Sequence, residues 1–214
     1  MEFLPTNIED YTEKYTQAES NLLNDLNRDT NLHVLQPRML SGHIQGRILS
    51  MFSKMINPTC ILEIGTYTGY AALCMAEGLT KEGVLHTIDI NEELESRVKK
   101  YFDVSDYKDQ LHFHIGNALE IIPKLNIQPD LTFIDADKEN YLNYFNLIID
   151  QLKPGAFIIA DNVLWSGKVT DEKIRAADEE TKALHEFNIA IHNDSRVENV
   201  LFPVRDGLMV IRKL

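Results

Sequence analysis

The sequence has few residues of several kinds, and each scarcity excludes a class of protein. Only two of its 214 residues are cysteine, Cys60 and Cys74, and they show neither the CxxC spacing of a zinc motif nor the density of a disulfide framework. No apolar run approaches the roughly 18 to 20 residues that a membrane helix needs. The N-terminus also lacks a basic segment followed by an apolar one. We therefore expect a cytoplasmic protein that does not contact a membrane.

Basic residues are in the minority, with 21 Lys and Arg against 33 Asp and Glu, which gives a formal net charge of -12. Such a surface repels polyanions, so the charge argues against nucleic acid and favours a small or cationic ligand. No low-complexity linker divides the chain. We predict a single domain over residues 1–214, with an N-terminal helical cap at 1–57 and an α/β core at 58–214.

Hydrophobic periodicity predicts two amphipathic helices before residue 58, over residues 8–26 and 38–57. The pattern then changes to short apolar runs that alternate with helical stretches, which is typical of a parallel sheet with crossover helices. The predicted strands are 60–64, 84–88, 111–115, 131–135 and 156–160, with helices over 70–79, 91–103 and 139–151. Two last strands, 197–202 and 208–212, lie too close in sequence for a crossover and should form an antiparallel hairpin.

The segment ILEIGTYTGY places Glu63, Gly65 and Gly69 where a strand ends and a helix begins. Glycines there let bare backbone approach a ligand, and Asp89 at the end of the next strand can accept hydrogen bonds from ribose hydroxyls. The spacing is not the G-x-G-x-x-G of a dinucleotide site, and Glu63 would repel a diphosphate but attract a cation. This favours S-adenosylmethionine over a nicotinamide cofactor. An unliganded tight turn, with Asp89 as a helix cap, is the structural alternative.

Polar side chains also end two later strands: Asp135 after LTFI, and Asp161 with Asn162 after FIIA. Two carboxylates and an amide are hard oxygen ligands, which suit Mg²⁺ best, with Mn²⁺ or Ca²⁺ as alternatives. Three such ligands would leave three octahedral positions, enough for two adjacent phenolic oxygens and a water. Turn or cap residues are the structural alternative, and Asp137 is a candidate neighbour of the ligands.

Lys138 and Trp165 follow the proposed ligands closely in sequence. A neighbouring cation and partial burial would make Lys138 a general base toward a phenolic hydroxyl, whereas the alternative is a solvated surface lysine. Trp165 is either a core aromatic or a wall for a flat aromatic substrate.

Together these segments resemble the cation-dependent O-methyltransferases, the group that includes catechol and caffeoyl-coenzyme A O-methyltransferases. The resemblance is carried by MLSG (39–42), LEIGTYTGYAA (62–72), TIDIN (87–91), GNA (116–118), FIDADK (133–138) and ADNVLWSG (160–167). It implies a Rossmann-like class I methyltransferase fold, that is, a mostly parallel seven-stranded sheet with an antiparallel C-terminal strand, helices on both faces and extra N-terminal helices. It also implies an S-adenosylmethionine- and metal-dependent enzyme that methylates one hydroxyl of a catechol, and a homodimer.

By the same resemblance, the site residues can be assigned by position. The cofactor would be bound by Met39, Leu40, Ser41, Glu63, Gly65, Tyr67, Gly69, Tyr70, Ala71, Asp89, Ile90, Asn117, Ala118 and Asp135. The metal ligands would be Asp135, Asp161 and Asn162, with Lys138 catalytic and the substrate contacting Trp165, Met39 and Lys138. Ala71 departs from the serine that many relatives use for the methionyl carboxylate, which leaves that contact to backbone, Tyr70 or water.

Three other functions stay open from the sequence. One is methylation of hydroxylated uridine in transfer RNA, for which Lys168, Lys173 and Arg175 would supply basic charge. The second is a nicotinamide-dependent oxidoreductase, and the third a non-catalytic metal- or nucleotide-binding protein. The sequence shows no basic cluster for the phosphates of coenzyme A, so a free catechol is favoured over a thioester.

Overall fold

A computed structural model describes residues 5–214. Residues 1–4, where the predicted helical cap begins, lie outside the described residues. The strands are β1 (Cys60–Ile64), β2 (Val84–Asp89), β3 (Leu111–Ile115), β4 (Leu131–Ile134), β5 (Phe157–Ala160), β6 (Val197–Phe202) and β7 (Leu208–Lys213). They form one seven-stranded sheet in the order β3-β2-β1-β4-β5-β7-β6. β7 runs antiparallel to both of its neighbours, which confirms the predicted hairpin and the reversed C-terminal strand.

Helices precede the sheet and connect its strands. They are α1 (Thr6–Lys14), α2 (Asn21–His33), α3 (Gly42–Ile56), α4 (Tyr70–Ala76), α5 (Glu95–Asp103), α6 (Ala118–Leu125), α7 (Tyr141–Ile148), α8 (Glu172–Ala177) and α9 (Glu179–Asn193). Short 3-10 turns precede several of them, including Pro37–Met39, Glu92–Leu94 and Lys138–Asn140. The predicted crossover helices are therefore present, each shorter than its apolar pattern because the first or last turn is 3-10 or irregular.

The prediction of one helix over residues 8–26 is wrong. α1 ends at Lys14, and α2 begins at Asn21 and continues to His33. Ser20 is the N-cap of α2, and its hydroxyl accepts a hydrogen bond from the main-chain N–H of Leu23 at 3.3 Å. The apolar spacing continues across this break, so periodicity alone did not reveal it, whereas the Ser20 cap marks where the second helix begins.

Backbone contacts divide the chain into two compact units, the first ending at Asn117 and the second running from Ala118 to Leu214. In the first, β1 is buried along its whole length, as expected for an inner strand of a parallel sheet. In the second, the largest fully buried side chains include Phe133, Tyr141, Phe145 and Phe187. The predicted division into an N-terminal helical cap at 1–57 and an α/β core at 58–214 stays a prediction.

Within residues 5–214, no helix is both long and apolar enough to cross a membrane. The cytoplasmic location and the homodimer stay predictions.

Three histidines stack on one face of β2 and β3. His86 pairs in register with His112, and their ring centroids lie 4.9 Å apart. Nδ1 of His86 lies 3.0 Å from Nε2 of His114. Burial, together with the neighbouring charges of His112 and His114, lowers the pKa of His86 from 6.5 to about 4. His86 is therefore a neutral imidazole at neutral pH.

We expect this stack to make folding stability depend on pH. Because the pKa of His86 is lower in the folded chain than in the unfolded one, the unfolded chain binds more protons between about pH 4 and 6.5. The stabilisation is full above pH 6.5 and is lost as the pH falls toward 4. One pKa unit is worth about 1.4 kcal/mol, and partial solvent exposure reduces the expected total to about 1 to 2 kcal/mol. Urea unfolding of His86→Gln should show a weaker pH dependence over this window, whereas His192→Gln, at an exposed position of α9, should match the parent.

Candidate active site

The turn between β1 and α4 is held in left-handed backbone conformations. Gly65 has a φ of 100° and Gly69 a φ of 88°, and Tyr67 between them has a φ of 50°. A Cβ atom on Gly69 would lie 2.7 Å from Cε1 of Phe102, so both the dihedral angle and the space require glycine there. The absence of a side chain at Gly65 lets a ligand approach the main chain of this turn closely.

Asp89, at the end of β2, is oriented by the same turn. Its Oδ2 accepts a hydrogen bond from the N–H of Tyr67 at 2.6 Å, and its Oδ1 accepts one from the N–H of Asn91 at 2.8 Å. The cap of the following 3-10 turn is Asn91, whose side chain accepts from the N–H of Glu93 at 3.0 Å. The helix-cap alternative for Asp89 is therefore wrong. Its carboxylate keeps lone pairs that can accept further hydrogen bonds from a ligand.

Tyr67 also fixes the loop before α3. Its hydroxyl lies 3.2 Å from the main-chain oxygens of both Leu35 and Gln36. Three residues assigned to the cofactor follow this anchor: Met39 is 55% exposed, whereas Leu40 and Ser41 are buried. The loop and the glycine turn are thus tied together through one side chain.

Glu63 is fully buried at the end of β1. The hydroxyl of Thr87 donates a hydrogen bond to Oε2 of Glu63, and the hydroxyls of Thr66 and Thr87 lie 2.5 Å apart. A carboxylate is costly to bury unless it is paired or hydrogen-bonded. A cationic ligand beside Glu63 would add such a partner.

The remaining residues assigned to the cofactor differ in exposure. The hydroxyl of Tyr70 donates to Glu19, and burial raises the pKa of Tyr70 far above its usual value. Ala71 and Ala118 are buried, Asn117 is exposed and Ile90 is 76% exposed. The hydroxyl of Tyr70 therefore has a protein partner already, which leaves backbone or water as the simpler contacts for a methionyl carboxylate.

In the second unit, Lys138 lies at the centre of a polar cluster. Its Nζ donates hydrogen bonds to Oδ1 of Asp135 at 3.1 Å, to Oδ1 of Asn162 at 2.8 Å and to the hydroxyl of Tyr141 at 2.6 Å. The residue is only 8% exposed. The alternative of a solvated surface lysine is therefore wrong, and two of the three predicted metal ligands meet at one ammonium.

Tyr141, in the first turn of α7, connects the cluster to the end of β5. Its hydroxyl donates to the main-chain oxygen of Asp161 at 3.0 Å, and its ring packs edge-on against Phe187 at 5.6 Å. Burial, reinforced by the carboxylates of Asp135 and Asp161, raises the pKa of Tyr141 well above its usual value. The phenol therefore stays neutral and acts as donor and acceptor at once.

Asp161 and Asn162 form a tight bend directly after β5. Asp161 is 3% exposed, and its Oδ1 accepts the main-chain N–H of Asn162 at 2.7 Å. Asn162 has a φ of 59°, a conformation that asparagine tolerates better than most residues. The bend thus has the turn role suggested as an alternative, and it also turns Oδ1 of Asn162 toward Lys138. The two roles are compatible.

The donor set of this cluster suits a hard cation. Within residues 5–214, no three His, Cys, Asp or Glu side chains form a metal-binding group, so a cation here would depend on the amide of Asn162 as well as Asp135 and Asp161. Carboxylate and amide oxygens are ligands of Mg²⁺ and Ca²⁺. The Lys138 ammonium lies between Asp135 and Asn162 and shows that these oxygens can accommodate a positive charge. The chemistry of these oxygen donors therefore fits the predicted ion.

Trp165 lies in a strained loop beyond the bend. Trp165 and Ser166 have φ values of 46° and 54°. The ammonium groups of Lys138 and Lys168 lie 5.7 and 5.6 Å from the centroid of the indole. Among the described residues, the buried Nε1 of Trp165 has no hydrogen-bond acceptor. An acceptor on a bound ligand could provide one.

The turn between β6 and β7 supports this loop. Oδ1 of Asp206 accepts the N–H of Ser166 at 2.5 Å, and the main-chain oxygen of Asp206 accepts the N–H of Leu164 at 2.9 Å. A Cβ atom on Gly207 would lie 2.6 Å from Cγ of Leu164, so the two segments touch closely. Burial raises the pKa of Asp206, although the Ser166 hydrogen bond opposes the shift.

Asp137, the predicted neighbour of the ligands, contacts other residues. It is exposed and accepts a hydrogen bond from the hydroxyl of Tyr144 at 2.5 Å, and the side-chain amide of Asn140 also donates to it. These contacts hold the 3-10 turn before α7. Tyr141 and Asp206 are not among the site residues predicted from the sequence. Tyr141 has the helical spacing of a core residue, and the contacts of Asp206 link segments forty residues apart.

Comparison with known proteins decides the class of this site. A family model described as O-methyltransferase matches residues 12–214. The chain belongs to the O-methyltransferase family. The caffeoyl-CoA O-methyltransferase of Medicago sativa is 32% identical over 186 residues, which cover 82% of this chain and 75% of the relative. Caffeoyl-CoA O-methyltransferase 1 of Nicotiana tabacum is 33% identical over 186 residues, with 82% and 78% covered.

Solved structures agree with this family. A methyltransferase of Podospora anserina, crystallised with SAH bound, aligns with a TM-score of 0.89 and 25% identity over 100% of this chain and 99% of that one. An O-methyltransferase of Streptomyces achromogenes involved in tomaymycin synthesis, in complex with SAM, gives a TM-score of 0.88 at 24% identity, with 97% and 96% covered. The predicted family, the class I fold and the S-adenosylmethionine-dependent reaction are confirmed. The oxidoreductase and non-catalytic alternatives are wrong.

Proposed function

We propose that this O-methyltransferase methylates one hydroxyl of a small catechol-type molecule and that it requires a divalent cation, Mg²⁺ first among the candidates. The observation that carries the proposal is the buried cluster in which Lys138 contacts Asp135 and Asn162. Lys138 is the candidate proton acceptor, and the oxygens of Asp135 and Asn162 beside it are candidate cation ligands. The two functions therefore lie in the same cluster. A vicinal diol has the two adjacent oxygens that such a place can use.

Asp135, Asp161 and Asn162 would hold the cation. A bound divalent cation would make a nearby phenolic hydroxyl more acidic and help to hold the acceptor. Asp161 suits this role because burial and its bond to the N–H of Asn162 fix its carboxylate. Asn162 suits it because the left-handed bend turns its oxygen toward Lys138.

In its neutral amine form, Lys138 would accept the proton of the acceptor hydroxyl at Nζ. The neutral phenol of Tyr141 keeps Nζ beside the oxygens of Asp135 and Asn162. Deprotonation would leave an oxygen nucleophile, and S-adenosylmethionine, when bound, would supply the methyl group as an electrophile beside it. A negative phenolate and a positive sulfonium would react to give neutral products. Exclusion of water from the site would therefore favour methyl transfer. Trp165 is the candidate wall for the aromatic ring.

Most of the residues assigned to the cofactor lie in the first unit. Asp89, already oriented by the N–H groups of Tyr67 and Asn91, would accept the ribose hydroxyls. Buried Glu63 would attract the cationic end of S-adenosylmethionine. The glycine turn that follows it, where Gly65 carries no side chain, would let the cofactor approach the main chain.

Two observations point to different acceptors within this reaction class. The Medicago and Nicotiana relatives are named for caffeoyl-CoA, which suggests a thioester. The net charge of -12, without a clear basic cluster for phosphates, favours a free catechol. Transfer RNA would need a basic surface for the same reason.

The test is methyl transfer from labelled S-adenosylmethionine to a panel of free catechols, caffeoyl-CoA and transfer RNA, with Mg²⁺ present. We expect product with catechols, with kcat/KM at least tenfold higher than for caffeoyl-CoA and no label in transfer RNA. A monohydroxylated analogue of the best catechol is the matched control and should react poorly. Equal rates with the monohydroxylated analogue would remove the vicinal diol from the proposal, and preferred labelling of caffeoyl-CoA or RNA would replace the catechol.

A further inference from the structure

Tyr141 has a hydrogen-bonding pattern that packing alone does not require. It is completely buried, and its hydroxyl lies between Nζ of Lys138, 2.6 Å away, and the main-chain oxygen of Asp161, 3.0 Å away. As an ammonium, Nζ donates, so the phenol oxygen accepts from lysine and gives its own proton to the carbonyl. One hydroxyl therefore fixes the lysine on one side and the end of β5 on the other.

These two partners belong to different chain segments. Lys138 opens the 3-10 turn that leads into α7, and Asp161 begins the bend after β5. Within the cluster, Tyr141 holds the backbone of one predicted ligand at a set distance from the lysine that contacts the other two. The aromatic ring supplies a second constraint, because it packs edge-on against Phe187 of α9.

We infer that Tyr141 is a positioning residue, which sets the location of the Lys138 amine relative to the Asp135, Asp161 and Asn162 oxygens through its hydroxyl group. The inference rests on the proposed function, since it assigns Lys138 to proton transfer and the three oxygens to a cation. It adds a residue that neither contacts the methyl acceptor nor binds the ion. Supporting groups of this kind orient ligands and bases through hydrogen bonds.

The lysine shows why the hydroxyl matters. Without the phenol oxygen, the partners of Nζ that remain in this cluster are Asp135 and Asn162, both predicted ligands. The Lys138 ammonium would then hydrogen-bond to those oxygens alone and compete with a divalent cation for them. The Asp161 carbonyl would also lose its donor, but the bend would keep the hydrogen bond from the N–H of Asn162 to Oδ1 of Asp161.

A matched control lies one turn along the same helix. Tyr144 is also buried on α7, and its hydroxyl also donates to a carboxylate, but that carboxylate is Asp137, outside the cluster. Tyr141→Phe and Tyr144→Phe each remove one phenolic hydroxyl and keep the ring. A purely structural role would make the two variants behave alike.

The experiment compares these variants by two readouts, the dissociation constant of Mn²⁺ from an electron paramagnetic resonance titration and kcat for the best catechol at saturating cofactor. Tyr141→Phe should weaken Mn²⁺ binding and lower kcat, each by about tenfold to a hundredfold. Tyr144→Phe should change both by less than threefold. The dissociation constant of S-adenosylmethionine should be unchanged in both variants, which serves as the check on folding.

A double-mutant cycle tests whether Tyr141 acts through the lysine. In a Lys138→Ala background, Tyr141→Phe should lower kcat by less than threefold more, since the group it positions is gone. A full additional loss, or equal effects of Tyr141→Phe and Tyr144→Phe in the parent, would overturn the inference while leaving the proposed function standing. Absence of methyl transfer to any catechol, together with selective loss of Mn²⁺ affinity in Tyr141→Phe, would refute the proposed function and keep the positioning role.

Discussion

Replacing Lys138 with alanine is expected to lower kcat for catechol methylation by about 10² to 10⁴-fold, the range observed when a general base is removed. The reason is the position of Nζ, which is buried and lies at 2.8 to 3.1 Å from oxygens of two predicted ligands. Affinity for S-adenosylmethionine should change by less than twofold. Initial rates at saturating cofactor, with calorimetry for binding, provide the measurement.

Two control variants, Lys138→Arg and Lys153→Ala, test whether the loss of activity is specific to a base at position 138. Lys138→Arg keeps the positive charge but cannot act as a base near neutral pH, so it should be as inactive as the alanine variant. Lys153→Ala removes an exposed lysine after α7 and should keep the parent rate. Recovery of activity in Lys138→Arg would show that charge alone is needed and would end the proton-transfer assignment.

Replacing Asp161 with asparagine is expected to raise the Mg²⁺ concentration that gives half-maximal activity by about tenfold to a hundredfold. The KM for the catechol should increase in parallel. Asparagine keeps the shape of the buried side chain and removes its charge, and hard divalent ions bind carboxylates strongly. The measurement is a set of Mg²⁺ titrations at several catechol concentrations.

Asp171→Asn is the matched control, because Asp171 is an exposed N-cap of α8 and asparagine caps helices equally well. Its Mg²⁺ dependence should equal that of the parent. If Asp161→Asn also kept the parent's Mg²⁺ dependence, Asp161 would be a turn residue and not a ligand.

The strands were predicted well because each is a short apolar run bounded by turn residues. Such a run indicates a buried strand. β1 and β3 begin and end where the sequence indicated, at 60–64 and 111–115. The N-terminal helix was predicted poorly because apolar spacing continues from Tyr15 to Leu22 although Ser20 caps a new helix. Local capping overrode periodicity there.

The candidate site divides in the same way. Asp135, Asp161 and Lys138 could be found because they follow strands, and the ends of parallel strands meet at one edge of a sheet. Tyr141 could not, since a tyrosine on the apolar face of a helix is usually only a core residue. Its two hydrogen bonds depend on how α7 packs beside the end of β5. The role of Asp206 comes from its hydrogen bond with Ser166, forty residues away in sequence, and residue spacing does not predict such a contact.

The most direct test of the account is the rate of catechol methylation after divalent cations are removed with a chelator and then restored. We predict that the chelated enzyme retains less than about 1% of its rate, still binds S-adenosylmethionine, and regains full activity with Mg²⁺. An undiminished rate in the chelated enzyme would contradict the account, because Asp135, Asp161 and Asn162 would then have no cation to hold.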